Sequence, residues 1–165
     1  MKTEERFSAA MGLWEKRLVR RFTATGLMGL LVMGCAEYLP ISGGSLEGRV
    51  SPLPQSLDKI AQDNIIQLET RADEAYSVNL WVVEVASHLH VFAGDNKANW
   101  VEDIEQNSNV RMRSGDEIFE LAAVRVNDPT IFAAFSDAWE AKYGNRPQNE
   151  SVEETYLYRL GARNP

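Results

Sequence analysis

Apolar and polar side chains alternate along several short stretches after residue 60. From Ile65 to Thr70 the alternation has a period of two residues, which predicts a strand with one buried face. The stretch from Ser77 to Val85 is apolar on both faces, which predicts a central strand. The same patterns predict four more strands, at 88–93, 110–113, 117–126 and 155–160.

Helical signals separate these strands. Asn99 followed by Glu102 matches a capping box, so we expect a short helix that Asn99 caps. Asp128-Pro129 predicts the start of a second helix and Gly144 its end. A third, shorter helix is predicted at 56–60. The order of elements predicts an α+β domain, a small antiparallel β-barrel with two or three short helices.

The first 35 residues follow a different pattern. Basic residues between Lys16 and Arg21 precede an apolar run of 12 residues, from Phe22 to Met33. This is the layout of a secretory signal, and the run is shorter than the roughly 20 residues that cross a bilayer. The run ends in Leu-Val-Met-Gly-Cys at residues 31–35, which resembles the lipobox of bacterial lipoproteins.

That resemblance implies a signal peptide at residues 1–34, cleaved before Cys35, whose thiol becomes the lipid attachment site and anchors the chain to the membrane. Ala36 follows the cysteine, where some bacteria use aspartate to retain a lipoprotein at the inner membrane. We therefore expect the periplasmic face of the outer membrane. The alternative is a plain signal peptide or an uncleaved amphipathic helix, with Cys35 incidental.

Residues 35–57 are rich in glycine, serine and proline, which predicts a tether, with the folded domain at 58–165. The chain has 17 basic and 24 acidic residues, and six of the basic but only three of the acidic ones lie before Cys35. The remainder thus carries 11 basic against 21 acidic residues, so its field repels polyanions. We expect no nucleic-acid partner.

From Asn64 to Arg163 the chain resembles the split β-barrel superfamily typified by pyridoxamine-phosphate oxidase, near its deazaflavin-dependent nitroreductase branch. The resemblance covers about 100 residues, nearly the whole predicted domain. The segments that carry it are Val78–Val83, Val91–Gly94, Asn99-Trp100, Asn107–Arg113, Ile118–Leu121 and Tyr156–Leu160.

The resemblance implies a homodimer that binds FMN or a deazaflavin at the subunit interface. Basic and hydroxyl side chains would hold the phosphate, and an aromatic ring would stack on the ligand. Asp73 and Glu74 depart from the relatives' glycine-containing, basic loop and would repel a phosphate. The cofactor-binding residues at matching positions are Arg71, Ser77, Asn79, Gly94, Asn96, Lys97 and Trp100.

His88 and His90 lie two residues apart on a predicted strand and share a face. No third ligand has suitable spacing, so we expect a surface pair on the hairpin and no metal site. No catalytic triad, Walker or Rossmann motif is present, and no catalytic residue is predicted.

Two functional classes remain open. One is a membrane-anchored lipoprotein whose split-barrel domain has no specific role that the sequence reveals: it is either a cofactor-free binding or structural protein of the envelope or a protein that binds a flavin-like ligand. The other is a flavin- or deazaflavin-dependent oxidoreductase of small molecules at the cell envelope.

Overall fold

The computed structural model describes residues 42–71 and 73–163. Within these ranges it contains seven strands and three helices. The strands are β1 (Arg49–Val50), β2 (Ile65–Thr70), β3 (Tyr76–Val85), β4 (His88–Phe92), β5 (Asn109–Ser114), β6 (Glu117–Arg125) and β7 (Leu157–Ala162); the helices are α1 (Asp58–Ala61), α2 (Asn99–Gln106) and α3 (Pro129–Tyr143).

Six strands form a closed antiparallel barrel. They follow one another in the order β6-β5-β2-β3-β4-β7, and β7 pairs again with β6 to close the ring. The short strand β1 adds to β6 in parallel. The predicted α+β fold, a small antiparallel split barrel with short helices, is confirmed, and β1 is the one described strand that the sequence did not predict.

The barrel interior is filled by apolar side chains from alternate positions of every barrel strand. Leu68, Val82, Leu89, Met112 and Leu121 are all completely buried there. Helices α1 and α2 add side chains to the same core. Because successive residues of a strand point to opposite faces, the polar residues between these positions lie outside the barrel.

Helix α3 covers part of this outer surface. Its predicted start is confirmed, since the Asp128 carboxylate accepts a hydrogen bond from the Thr130 backbone N–H at 2.8 Å. It ends at Gly144, which adopts the left-handed conformation with φ of 81°. Its apolar face forms a second core with β3 and β4, in which Phe135 is completely buried.

Three expectations from the sequence are wrong in detail. The N-cap of α2 is Ala98, and no side chain caps it, so Asn99 and Glu102 form no capping box. Strand β7 begins at Leu157, because Thr155 is held in a turn in which its N–H and hydroxyl both donate to Ser151 O. His90 is not a surface residue: it is 1% exposed, since α3 covers its face of β4.

Residues 42–57, predicted as part of a tether, contact the barrel instead. Leu46 and Leu57 are buried, and Leu57 belongs to the barrel core. Residues 42–51, which we call the strap, are hydrogen-bonded to β3, β2 and β6. At one end the Gly43 N–H donates to Ser77 O at 2.7 Å, and at the other the Ser51 N–H donates to Ile118 O at 2.9 Å.

The predicted signal peptide at 1–34, the lipid attachment site Cys35 and the tether up to residue 41 lie outside the described residues. In the described ranges no helix has the length and apolar character needed to span a membrane.

Candidate functional site

The predicted cofactor residues Arg71 and Ser77 lie at the hairpin between β2 and β3, and both have protein partners. The Arg71 guanidinium lies 3.2 Å from the Asp103 carboxylate on α2 and packs over the Tyr76 ring. The Ser77 hydroxyl donates to Gly43 O at 3.1 Å, and its own carbonyl accepts the Gly43 N–H. Both the side chain and the backbone carbonyl of Ser77 are therefore hydrogen-bonded to the strap.

Four of the other predicted residues lie in or beside the loop from β4 to α2. Gly94 has a φ of 66° and its carbonyl accepts the Tyr156 N–H, which fixes the loop against the residue just before β7. The carbonyl of Asn96, an exposed residue, accepts the Ala98 N–H. The Lys97 ammonium lies 2.6 Å from the Glu105 carboxylate, which raises the pKa of Lys97.

Trp100 is buried, and its ring meets Tyr158 edge-on inside the barrel. Asn79 is exposed on the outer face of β3, opposite Gln67 of β2. These two positions put Trp100 inside the barrel and Asn79 outside it. The seven predicted residues are therefore not gathered into one pocket.

As arranged, these residues do not form a phosphate cradle. Arg71 and Lys97 are both paired with carboxylates of α2, and Ser77 is bonded to the strap. Each would have to exchange a protein partner for the phosphate. We therefore derive no chemistry through a flavin at this position.

The strap is also bonded to an ion pair whose carboxylate is buried. Glu69 on β2 is buried, and both of its carboxylate oxygens accept hydrogen bonds from Arg111 on β5, at 2.9 and 3.0 Å. The same carboxylate accepts the Leu46 N–H at 2.5 Å and the Ser45 hydroxyl at 3.4 Å. This carboxylate is fully used in holding the strap to the barrel, which is a structural role.

A different arrangement occurs where β4, β6 and β7 meet the start of α3. A cleft of about 340 Å³ opens there between the sheet and the helix, and we call it the histidine cleft. The register of the barrel strands brings its lining residues together, since Arg159 of β7 pairs with both His90 of β4 and Val124 of β6. Its polar lining includes His88, His90, Arg159 and Asp128, and its apolar lining Val85, Val124, Val126 and Ile131.

His90, which lines this cleft, has a buried polar atom without a partner. Its Nδ1 lies 3.0 Å from His88 O, and since a carbonyl only accepts, Nδ1 carries the proton. Nε2 is therefore an acceptor, and it is buried with no hydrogen-bond partner. Burial lowers the pKa of His90 to about 4; the hydrogen bond to His88 O opposes this shift, and the charge of Arg159 adds to it. The ring is thus neutral at pH 7.

Buried polar atoms of native proteins are usually satisfied, by protein, water or ligand. The unpartnered Nε2 of His90 is therefore the feature of the cleft-lining residues that favours an external hydrogen-bond donor. Arg159 is exposed beside it and forms no ion pair within the described residues. The cleft thus offers a buried acceptor, a free cation and an apolar wall.

Cation binding is the weaker use of this cleft. Within residues 42–71 and 73–163 no three histidine, cysteine, aspartate or glutamate side chains come together around one point. Arg159 opposite His90 would also repel a metal ion. The arrangement favours an anionic or neutral organic ligand.

The sequence contains only part of this site. The His-x-His spacing on a strand predicts that His88 and His90 share a face, which is confirmed by their common lining of the cleft. Arg159 and Val124 join them through strand pairing between distant segments, which local spacing does not reveal. The predicted helix start at Asp128 is a further sequence signal at this place, since Asp128 lines the cleft.

The sequence matches no protein-family model and no curated protein. Solved structures match the fold. Campylobacter jejuni ChuZ is 13% identical with a TM-score of 0.53, covering 64% of this chain and 50% of that one. The conserved hypothetical protein Rv2991 of Mycobacterium tuberculosis is 16% identical with a TM-score of 0.51, covering 65% and 78%.

A candidate pyridoxamine 5′-phosphate oxidase from Listeria innocua is similar to the same extent. It is 15% identical with a TM-score of 0.51, and the match covers 66% of this chain and 90% of that one. At such identities the likeness shows the fold alone. The chain therefore contains a domain with the split β-barrel fold that these structures share.

Proposed function

We propose that this chain is a lipid-anchored envelope protein whose split-barrel domain binds a small organic molecule in the histidine cleft. The observation that carries the proposal is the buried, unpartnered Nε2 of His90, a residue that lines a cleft of about 340 Å³. A cleft of this size is in the range of small-ligand sites, which combine apolar walls with a few polar groups.

The binding proposal can be tested with a variant that fills the cleft. Val124 is 49% exposed at its wall, so Val124→Trp should fold and block the space. Val50, 55% exposed and away from the cleft, gives the matched control Val50→Trp. We expect ligand-observed NMR of the full chain in detergent with a small-molecule library to detect binders that Val124→Trp loses and Val50→Trp keeps.

The opposite results are equally clear in this experiment. A library without a single binder would contradict the proposal. So would binders that Val124→Trp retains, because they would have to bind elsewhere.

The anchoring part of the proposal rests on Cys35 and the apolar run before it. Several acyl chains on one residue hold a protein in a membrane essentially irreversibly, since each buried methylene contributes about 0.8 kcal/mol. Cys35→Ser should therefore move the protein from the membrane fraction to the soluble fraction. Retention of Cys35→Ser in the membrane would contradict the anchor. Sucrose-gradient separation of the two membranes would test the expected outer-membrane location.

A second candidate is a flavin- or deazaflavin-dependent oxidoreductase acting as a homodimer. Its support is the fold shared with the candidate oxidase of Listeria innocua. Adding FMN to the purified chain and removing free FMN by gel filtration would test it. A retained visible flavin spectrum, with a dimer in analytical ultracentrifugation, would favour the enzyme over the binding protein.

A further inference from the structure

The histidine cleft specifies more than the presence of a ligand. His90 lines the cleft and holds its ring proton on Nδ1 against His88 O, so its buried Nε2 only accepts hydrogen bonds. The matching group on a ligand must be a donor, such as a hydroxyl. A ligand without a donor would leave this buried acceptor unsatisfied, which costs binding free energy.

At the opening of the cleft, the group preferred on a ligand is a hydrogen-bond acceptor. Arg159 pairs with His90 in the register of β4 and β7, so the two residues lie on the same face about 5 Å apart at their Cα atoms. Arg159 is exposed, whereas His90 is 1% exposed. Arginine favours planar, bidentate acceptors such as carboxylates. The outer end of the ligand is therefore expected to be a carboxylate.

Between these two ends the wall is apolar. Val85 and Val126 are buried beside the cleft, and Ile131 and Val124 flank its open part. Arg125 also lines it, but its guanidinium donates to Thr155 O and packs over the Tyr156 ring. The middle of the ligand is thus expected to be hydrocarbon.

We propose that the histidine cleft binds a small carboxylic acid with an apolar body and a hydroxyl at the end away from the carboxylate. The hydroxyl donates to Nε2 of His90, the body lies between Val124 and Ile131, and the carboxylate pairs with Arg159. This inference rests on the proposed function and adds the chemical class of the ligand to it.

A matched set of probes separates the three parts of this ligand. 4-Hydroxybenzoate has all of them, benzoate lacks the hydroxyl, and phenol lacks the carboxylate. Equilibrium dialysis of each radiolabelled probe against the full chain in detergent gives the dissociation constants. We expect 4-hydroxybenzoate to bind about fivefold more tightly than benzoate, the value of one neutral hydrogen bond, and about tenfold more tightly than phenol, for a hydrogen-bonded charge pair.

Variants test which residue binds each end of the ligand. Arg159→Gln should weaken 4-hydroxybenzoate about tenfold and leave phenol unchanged. Arg113→Gln makes the same change of net charge on β5, outside the cleft, and should change neither. If both variants weaken 4-hydroxybenzoate equally, the effect is general electrostatics and the role of Arg159 is wrong.

Asp128 gives a test with the opposite sign. Its carboxylate lines the cleft and caps α3. Asn caps a helix as well as Asp does, so Asp128→Asn keeps the cap and removes one negative charge. We expect about twofold tighter binding of 4-hydroxybenzoate and no change for phenol. Weaker binding would contradict the proposed position of the carboxylate.

The outcomes separate this inference from the proposed function. Equal binding of 4-hydroxybenzoate and benzoate overturns the ligand class and leaves the binding function standing. The same follows if neither probe binds while library compounds bind wild type and not Val124→Trp. No binding of any probe or library compound overturns both. The fivefold hydroxyl preference, lost in His90→Phe while benzoate binding stays the same, supports the inference. If His90→Phe does not fold, the benzoate comparison decides alone.

Discussion

Two polar regions lie on the outside of the same barrel and have opposite character. Under the strap, the Glu69 carboxylate accepts hydrogen bonds from Arg111, Leu46 and Ser45. In the histidine cleft, Nε2 of His90 is buried without a partner and Arg159 has no ion pair in the described ranges. Both regions are built from residues facing away from the barrel core, so the fold by itself does not distinguish them.

The difference shows how a structural polar group is told from a binding group. A buried charge whose hydrogen bonds are all made within the protein stabilises one arrangement of the chain. A buried acceptor with no partner costs free energy unless something from outside satisfies it. The strap-covered face, which contains the predicted cofactor residue Ser77, belongs to the first kind. The histidine cleft belongs to the second.

The largest expected effect tests the structural side of this comparison. Glu69→Ala leaves Arg111 and the Leu46 N–H without their shared acceptor, which should lower the free energy of unfolding by about 4 kcal/mol. Glu120, also opposite Arg111 but exposed, gives the matched control. Glu120→Ala should cost less than about 0.5 kcal/mol. Urea denaturation measures both. Equal, small losses would mean that the strap-covered pair is not structural.

The titration of His90 tests the other side. Its pKa is about 4 in the folded chain and about 6.5 in the unfolded one, so the unfolded state binds more protons between these values. The contribution of His90 to stability is therefore fully present above pH 6.5 and is lost as the pH falls to 4, by about 3 kcal/mol.

Thermal unfolding at several pH values, for wild type and His90→Gln, isolates this contribution. The pH dependence of stability should be shallower in His90→Gln than in wild type. If His90→Gln and wild type have parallel profiles between pH 4 and 6.5, the pKa of His90 is the same in the folded and unfolded chain, and its ring is not buried as described.

A smaller effect is expected at the edge of the cleft. Asp128→Ala removes the cap of α3 and should lower the free energy of unfolding by about 1 kcal/mol. Asp128→Asn should restore it. Chemical denaturation of the two variants separates the capping role of Asp128 from its charge. A loss of the same size in Asp128→Asn would show that the charge, not the cap, stabilises α3.

The smallest expected change in stability is at Val124. Because this side chain is half exposed, Val124→Ala should change the free energy of unfolding by less than about 0.5 kcal/mol. The same variant should still weaken the binding of the tightest-binding ligand severalfold, since it removes part of the apolar wall of the histidine cleft. A binding loss without a stability loss would sharpen the contrast with Glu69. The reverse pattern would make the cleft another structural region.

The sequence alone predicted the barrel with good accuracy. Alternation located β2 at its observed bounds, and Asp128, Pro129 and Gly144 located both ends of α3. These signals are local: strand period, helix caps and turn residues act within a few positions. Where a local signal was contradicted, as at Asn99, the helix began one residue earlier than the capping pattern implied.

Tertiary structure alone decided which polar residues are committed and which are available. Ser77 is hydrogen-bonded to Gly43 of the strap, and Arg71 and Lys97 are ion-paired with Asp103 and Glu105. These side chains, of types suited to phosphate, thus already have partners within the protein. His90 looked like a surface residue because nothing local shows that α3 folds back over β4. Closure of the barrel between β4, β7 and β6 then brings Arg159 to it. Such contacts join segments far apart in the chain, and the residue pattern of one segment does not contain the position of the other.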